Sequence, residues 1–520
     1  MNIIFRVDSS KIIGTGHLYR CINLANELRN NGGNIIFVSR NHKDNSNKLV
    51  VDNGFKLISL PYRDFNVSKN DCKTWVGASQ KEDVKETLNA LKNVRCDLII
   101  IDHYGINKKW ETEIKKSFRK IFVIDDLANR EHNCDFLLDQ NYRINSSNRY
   151  TKLVPKKCKL LLGPNFALLN EAFSQKNKVK KFNKDKRLFI FMGGSDRKDF
   201  IKTITNILDD RLFSNLQTDI VVGKSFYDDM NRNLSVKTNS KIYFHPPQRH
   251  LADLMSKCDF AIGAGGVTNL ERMCIGIPSI VISLAENQVE ICKELSSLGL
   301  INYLGDLKTI SLNVLKSSIV RMLENDAYLR KLSLKSQSIV DGYGAKRVSE
   351  IVMPSSNTVL KIRKSKKNDV FTYFKWANEP IVRKNSLNSS EIDLEDHFDW
   401  YNKRLANSNS ELYIFEIKDL PIGQIRFEIK EKNAYINYSI DFAGRGRGLA
   451  HHILLKGILE FSSTNTFPLI ALVKSENIAS IKSFVRLGFI EQDKLKNGVR
   501  SFMLPVKNQE KIKKSFQISY

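Results

Sequence analysis

The sequence predicts an α/β protein: two successive lobes of parallel strands wrapped by helices, followed by a smaller α+β domain. Three observations predict it. Residues 1–175 alternate short apolar runs with amphipathic stretches, and the alternation restarts after a basic segment at 176–186. Beyond residue 370 it gives way to closely spaced strands with turns between them. A chain of 520 residues has room for about three domains at roughly 150 residues each, and the expected bounds are 1–175, 187–352 and 370–508.

In the first lobe the strand candidates are Ile3–Val7, Asn34–Val38, Lys56–Leu60, Asp97–Ile101 and Lys120–Ile124, with helical patterns such as Lys81–Leu91 and Trp110–Phe118 between them. Such alternation implies a parallel sheet with ligand at the carboxyl ends of its strands. Polar residues stand at those ends: Asp8 after the first strand, Asp102, His103 and Tyr104 after the fourth, Asp125 and Asp126 after the fifth. Singly each reads as a turn or cap; together they define a polar pocket. After Asp8 come Gly14 and Gly16 and then a helix whose apolar positions are Leu18, Cys21, Ile22, Ala25 and Leu28. Glycines there let backbone approach a ligand, and the N–H groups of a helix start suit phosphate. His17 falls in the first turn of that helix, beside Arg20. An imidazole there can move a proton near neutral pH; capping or packing is the plainer alternative.

The second lobe opens with the strand Leu188–Met192 and the turn Gly193-Gly194-Ser195-Asp196. Strands at Asp219–Val222, Ile242–His245, Phe260–Ile262 and Ser279–Ile282 follow. Gly263, Gly265 and Gly266 open a helix carrying Thr268, Asn269 and Glu271, and Glu286, Asn287 and Gln288 begin the next. A helix opened by glycines can receive a diphosphate, and an acid one turn in can accept from ribose hydroxyls.

Two such lobes describe a GT-B-like fold of two Rossmann-like lobes. The runs RVDSSKIIGTGHLYRC, IDHYGI, VIDDLANREHNCDFLLDQN, LLGPNFALL, FMGGSD, GAGGVTNLER and AENQ resemble the UDP-sugar hydrolases of pseudaminic acid biosynthesis across residues 1–352. The resemblance implies hydrolysis of a UDP-diacetamido-trideoxy-altropyranose to UDP and free sugar, with His17 as the base activating water at the anomeric carbon. It further implies a substrate site lined by Asp8, Gly14, Gly16, Arg20, Tyr104, Gly194, Ser195, Gly265, Gly266, Thr268, Asn269, Glu271, Asn287 and Gln288, with Glu271 at the ribose. UDP is a good leaving group, so what the site must add is a positioned water and dispersal of negative charge. No carboxylate cluster of metal type stands out, and metal-independent attack at carbon is expected. Another diamino-sugar nucleotide, of legionaminic type, or a GT-B glycosyltransferase are the alternatives.

The segment 353–369 reads as a polar, basic joint. Beyond it, strands at Leu412–Ile417, Ile422–Ile429 and Tyr435–Ile440 form an antiparallel meander. In AGRGRGLAHHILLKGILEF the residues Arg445, Gly446, Arg447, Gly448, Leu449 and Ala450 lead into a helix, a pattern whose consecutive N–H groups make an anion nest. Asn477 and Ser480 follow, with Gly488 and Phe489 closing the second motif. Together these motifs resemble the GNAT acetyltransferases, which implies acetyl-CoA as co-substrate bound by these loop residues and by Asn477 and Ser480. One departure stands out: the tyrosine often credited in that family with protonating the leaving thiolate is Phe484 here. His451 and His452 are tempting as bases, although such helix residues commonly face core or surface. The segments FKWANE and HFDW resemble the start of the N-acetyltransferase of the same pathway, with Trp376 and Trp400 as core aromatics or sugar contacts. That transferase makes the hydrolase's substrate, so the fusion implies two consecutive steps on one chain.

The net charge of +26 admits nucleic acid, anionic membrane or an anionic small substrate. The lysines are dispersed, and the denser runs at 176–186 and 361–367 fall at expected linkers. No nucleic-acid-binding motif is present, so neither nucleic acid nor membrane is expected as a partner. The eight cysteines form no C-x-x-C pair, and the start reads as a first strand with no basic leader. A cytoplasmic enzyme acting on a small UDP-sugar with acetyl-CoA is the expectation; the oligomeric state is left open.

Overall fold

The computed structural model describes residues 1–144, 146–193, 197–224, 226–228, 241–355, 359–494 and 498–518. The chain divides into two compact units, Met1–Pro354 and Ser355–Tyr520.

The first unit holds two parallel sheets. One contains β1 (Asn2–Val7), β2 (Asn34–Arg40), β3 (Lys56–Leu60), β4 (Leu98–Asp102), β5 (Lys120–Ile124), β6 (Phe136–Asp139) and β7 (Lys159–Leu162), in the order β3-β2-β1-β4-β5-β6-β7. Ile4 pairs in register with Ile36 and Ile99, and Phe5 with Phe37 and Ile100. Successive side chains fall on opposite faces and both faces are covered, which is why these strands read as unbroken apolar runs. Ile3, Phe5 and Val7 pack under the helix Gly16–Asn30, while Ile4, Ile36 and Val38 pack with Trp110 and Ile114 on the other side. The strand order reverses between β1 and β4, and the crevice outside a reversal is where open α/β sheets bind ligands.

The other sheet repeats the plan with β8 (Arg187–Phe191), β9 (Gln217–Val221), β10 (Lys241–His245), β11 (Phe260–Ala264), β12 (Ser279–Ser283) and β13 (Asn302–Asp306), ordered β10-β9-β8-β11-β12-β13. Its reversal lies between β8 and β11, where the second-lobe glycine turns begin. The last helix of the unit, Gly344–Val352, returns to the first lobe: Ala345, Val348 and Val352 enter the core beneath Gly16–Asn30. The sequence bounds placed this helix with the second lobe. Asn31 Nδ2 donates to Ser349 Oγ at 2.8 Å, and a Cβ on Gly344 would stand 2.2 Å from the Ala167 carbonyl oxygen, so only glycine allows that approach.

The second unit is one sheet in the order β14-β15-β16-β17-β18-β20-β19, with β14 (Lys361–Lys364), β15 (Ser410–Ile417), β16 (Leu420–Lys430), β17 (Asn433–Ile440), β18 (Leu469–Lys474), β19 (Ile490–Lys494) and β20 (Val499–Leu504). The run at 361–367, read as part of a joint, instead supplies β14, whose Arg363 is tied to Asp369 and Glu416. Every neighbouring pair is antiparallel except β17 and β18, which run parallel and register only at Ala434↔Leu469 and Tyr435↔Ile470. β17 continues to Ile440 and β18 to Lys474 without further pairing to each other, so the two strands part and leave a gap. Among the described residues no helix is long and apolar enough to cross a membrane.

Candidate active sites

At the end of β1 the chain turns through Ser10–Gly14, where Gly14 N–H donates to Ser10 O at 2.8 Å and Gly14 takes φ +83. The following helix starts at Gly16 with no side-chain cap from Thr15, so its first N–H groups have no side-chain acceptor, and no atom lies within 4 Å of a Cβ built on Gly16. His17 and Arg20 are one turn apart and face inward together. Asp102, the last residue of β4, receives both: His17 Nδ1 lies 2.6 Å from its Oδ1, and Arg20 donates Nε to Oδ2 and Nη2 to Oδ1, each at 2.6 Å. Burial pushes the Asp102 carboxyl up, but the charges of Arg20 and His17 outweigh it and hold the group well below the usual carboxylate range. A carboxylate only accepts, so Nδ1 carries the imidazole proton and the lone pair is left on Nε2. Arg20 Nη1 also donates to Asp126 at 3.0 Å, and Tyr104 O–H donates to Asp126 at 2.5 Å while its ring meets the His17 ring edge-on at 4.5 Å. Beyond Tyr104 lies Trp75, 5.7 Å between centroids.

Trp75 was not among the expected site residues, and Asp102 and Asp126 were expected only as part of the polar pocket at the strand ends, not as partners of His17 and Arg20. The two carboxylates were visible as strand ends, yet nothing local links a histidine to an acid 85 residues away. Two expected ligands turn out to be framework. Arg20 is 3% exposed with its guanidinium occupied by Asp102 and Asp126, so it positions the site and does not face a diphosphate. Asp8 is 1% exposed, ion-paired to Arg6 at 2.5 Å and accepting from Arg40 N–H at 2.7 Å, and it belongs to the core of the lobe. Burial alone would push Asp8 up; Arg6, with His103 and His42 beside it, keeps it ionised.

In the second lobe Gly266 precedes the helix Val267–Ile275, and a Cβ there would meet only Gln288 Nε2 at an ordinary 3.7 Å, whereas a Cβ on Gly265 would meet Cys292 Sγ at 2.3 Å. Gly265 is therefore a packing requirement. Arg272 is buried in this helix and ties Ala264 O (2.8 Å), Ser279 Oγ (3.1 Å) and Asn269 Oδ1 (3.3 Å). Asn269, expected at the ligand, is 3% exposed and serves that knot. Thr268 is half-buried and accepts weakly from Arg272 at 3.4 Å. Glu271 differs from its neighbours: its Oε2 is buried without a hydrogen-bond partner, and burial pushes its carboxyl up to about 7. Tyr19, from the first-lobe helix, is pushed up by burial first and then by the charge of Glu271. Gln288 Oε1 accepts from Leu284 N–H at 2.9 Å, and Asn287 is exposed. Gly194 and Ser195 lie outside the described residues.

In the second unit the gap between β17 and β18 opens into a groove of about 1070 Å³. Gly446 and Gly448 take φ +74 and +73, a Cβ built on either would meet no atom within 4 Å, and Gly448 caps the helix Leu449–Thr464 without a side-chain hydrogen bond. This leaves backbone N–H groups open for an anion such as a pyrophosphate. Leu449 is buried and Ala450 and Arg447 are half-buried. Asn477 caps the helix Ile478–Arg486 by accepting from Ser480 N–H at 3.2 Å, and Ser480 Oγ lies 3.0 Å from Tyr438 O–H. Arg445 lines the same groove while bracing its loop: Nε donates to Ile440 O at 2.9 Å and Nη1 to Glu379 at 2.6 Å. His451 and His452 do not line the groove. Trp376 is core, donating to Asp441 at 2.9 Å, while Trp400 lines the groove under the Arg426 guanidinium at 4.7 Å. Open αL glycines, a capped second helix and parting strands thus stand around one groove.

The fold and these sites define a GT-B-like pair of lobes joined to a GNAT-type sheet. Residues 360–490 match the family model of the acetyltransferase (GNAT) domain. Over 516 residues the chain is 26% identical to an uncharacterized protein of Methanocaldococcus jannaschii, covering 94% of this chain and 96% of that one. The N-terminal part is 32% identical over 212 residues to the UDP-2,4-diacetamido-2,4,6-trideoxy-beta-L-altropyranose hydrolase of Campylobacter jejuni, 40% of this chain and 66% of that protein. It is 28% identical over 219 residues to a Helicobacter pylori protein named as pseudaminic acid cytidylyltransferase and the same hydrolase, 41% of this chain and 39% of that one. The chain thus joins a segment similar to pseudaminic-pathway hydrolases to a GNAT domain.

Proposed function

We propose that the chain is a bifunctional enzyme of pseudaminic acid synthesis. Its second unit N-acetylates the 4-amino group of a UDP-4-amino-4,6-dideoxy-N-acetyl-altrosamine with acetyl-CoA. Its first unit then hydrolyses the resulting UDP-2,4-diacetamido-2,4,6-trideoxy-β-L-altropyranose. The observation that carries the reading is the His17–Asp102 pair at the strand reversal of a lobe similar to hydrolases of that name. With Nδ1 bonded to Asp102, Nε2 of His17 takes a proton from water as it attacks C1, and Asp102 steadies the imidazolium that forms. The uncapped helix starts at Gly16 and Gly266 receive the charge that develops on departing UDP, and Glu271 accepts from the ribose hydroxyls. General-base help of this kind is worth about 10²–10⁴-fold in rate.

In the second unit the N–H groups around Gly446 and Gly448 hold the pyrophosphate of acetyl-CoA, and the parted strands admit its thioester arm. Carrying both steps on one chain raises the local concentration of the intermediate near the hydrolase site. The test mixes the purified chain with acetyl-CoA and the UDP-4-amino sugar and follows CoA and UDP release separately. His17→Ala should abolish UDP release and leave CoA release unchanged. Loss of both together in a folded variant contradicts the division of labour.

A further inference from the structure

Phe484 removes the phenol that acetyltransferases of this type often use against the leaving thiolate, yet a phenol still stands in the gap. Tyr438 is on β17, three residues beyond Tyr435, the last residue of that strand in register with β18. It therefore lies where the two strands have separated. Its ring packs edge-on against Phe484, 5.7 Å between centroids, and its hydroxyl lies 3.0 Å from Ser480 Oγ, one helical turn before Phe484. Tyr438, Ser480, Ser483 and Phe484 all line the same groove. The other groove tyrosines are placed differently: Tyr373 O–H is engaged by Ser365 Oγ and Tyr413 O, and Tyr435 sits where the strands are still paired, with Lys430 over its ring. Serine hydroxyls are too weakly acidic for the task, whereas a phenol near pKa 10 can meet a thiolate near 8.5.

We propose that Tyr438 is the general acid of the acetyl transfer, supplying from β17 the proton that a tyrosine at 484 would supply from the facing helix. The inference rests on the acetyl-transfer reading of this unit. The amine nitrogen bonds to the thioester carbonyl carbon and the C–S bond breaks. Tyr438 O–H gives its proton to the departing sulfur, yielding CoA thiol, and the proton lost from the amine returns through solvent to the phenolate. Ser480 accepts or donates at the same oxygen and keeps the phenol aimed across the gap. Burial, which pushes the Tyr438 hydroxyl up, keeps it protonated at neutral pH and so ready to donate.

The test compares wild type, Tyr438→Phe and the double variant Tyr438→Phe/Phe484→Tyr in the full chain. CoA release is measured with the UDP-4-amino sugar and, separately, with water as the only acceptor, and acetyl-CoA affinity is measured by calorimetry. Tyr438→Phe should keep acetyl-CoA affinity within about twofold and lose about 10²-fold in CoA release with either acceptor. The double variant should recover most of that loss, because the phenol has been moved across the same gap. A Tyr438→Phe rate within about twofold of wild type overturns the proposal, and so does a loss that the relocated phenol fails to repair. Failure of the acceptor reading is distinguishable: the sugar would not accelerate wild-type CoA release, while the water reaction would still report on the acid.

Discussion

The two sites are built from opposite materials. The His17 site of the first unit depends on buried charge: Asp102 is wholly enclosed and gripped by Arg20 and His17, and Arg20 spans to Asp126. The groove of the second unit depends on backbone: glycines in the left-handed region, an uncapped helix start and two strands that part after two registered pairs. A charged clamp fixes one tautomer and one ring orientation at the expense of pH sensitivity and of a heavy penalty when one partner is removed. A backbone cradle tolerates side-chain change and is sensitive chiefly where a Cβ must adopt positive φ. The difference suits the division of labour proposed above, a single aimed lone pair in one case and a long anionic co-substrate in the other.

The sharpest way to break this contrast is Asp102→Asn. It frees the His17 tautomer and leaves Arg20 short of a buried counter-charge, so UDP release should fall about 10²–10⁴-fold. Stability should fall by about 3–5 kcal/mol, the cost of breaking a buried pair, read by denaturant unfolding. CoA release should be unaffected at a temperature where the fold persists. Next in size, Tyr104→Phe leaves Asp126 with Arg20 alone and should slow UDP release about tenfold, an effect of roughly 1.4 kcal/mol, seen as lower kcat with little change in KM.

A pH comparison follows from Glu271. Its folded-state value, near 7, lies above the ordinary 4.5, so the folded protein holds this proton more tightly than the unfolded chain. The contribution to stability is full below the unfolded value and is lost as pH rises through about 7. Glu271→Gln should therefore match wild type in denaturant midpoint near pH 5 and exceed it near pH 8. Equal differences at both pH values would show that this carboxyl does not titrate in the cleft. The smallest effect is expected at Gly448→Ala, where φ +73 costs a side chain about 1–2 kcal/mol. Acetyl-CoA affinity should drop several-fold with UDP release unchanged.

Much of the first lobe could be read from sequence because its strands are buried on both faces and leave long apolar runs, as in Ile3–Val7. The strands β6, β7 and β13 escaped because runs of four or five residues carry little periodic signal. The basic run 361–367 was mistaken for a joint because its lysines mask a strand held by Arg363. At the sites, the glycine turns and His17 were found from local spacing. The direction in which Arg20, Asn269 and Arg445 face was not, since it is set by Asp102, Arg272 and Glu379, partners brought near by the fold. Asp8 shows the same thing just past the end of β1: its carboxylate is buried and paired with Arg6.

The central claim is that water, aimed by His17, attacks carbon. Hydrolysis of the UDP-diacetamido sugar in oxygen-18 water tests it most directly, with both products examined by mass spectrometry. The account predicts the label at C1 of the released sugar and none in UDP. Label in the β-phosphate of UDP, with unlabelled sugar, would place the attack at phosphorus and contradict it.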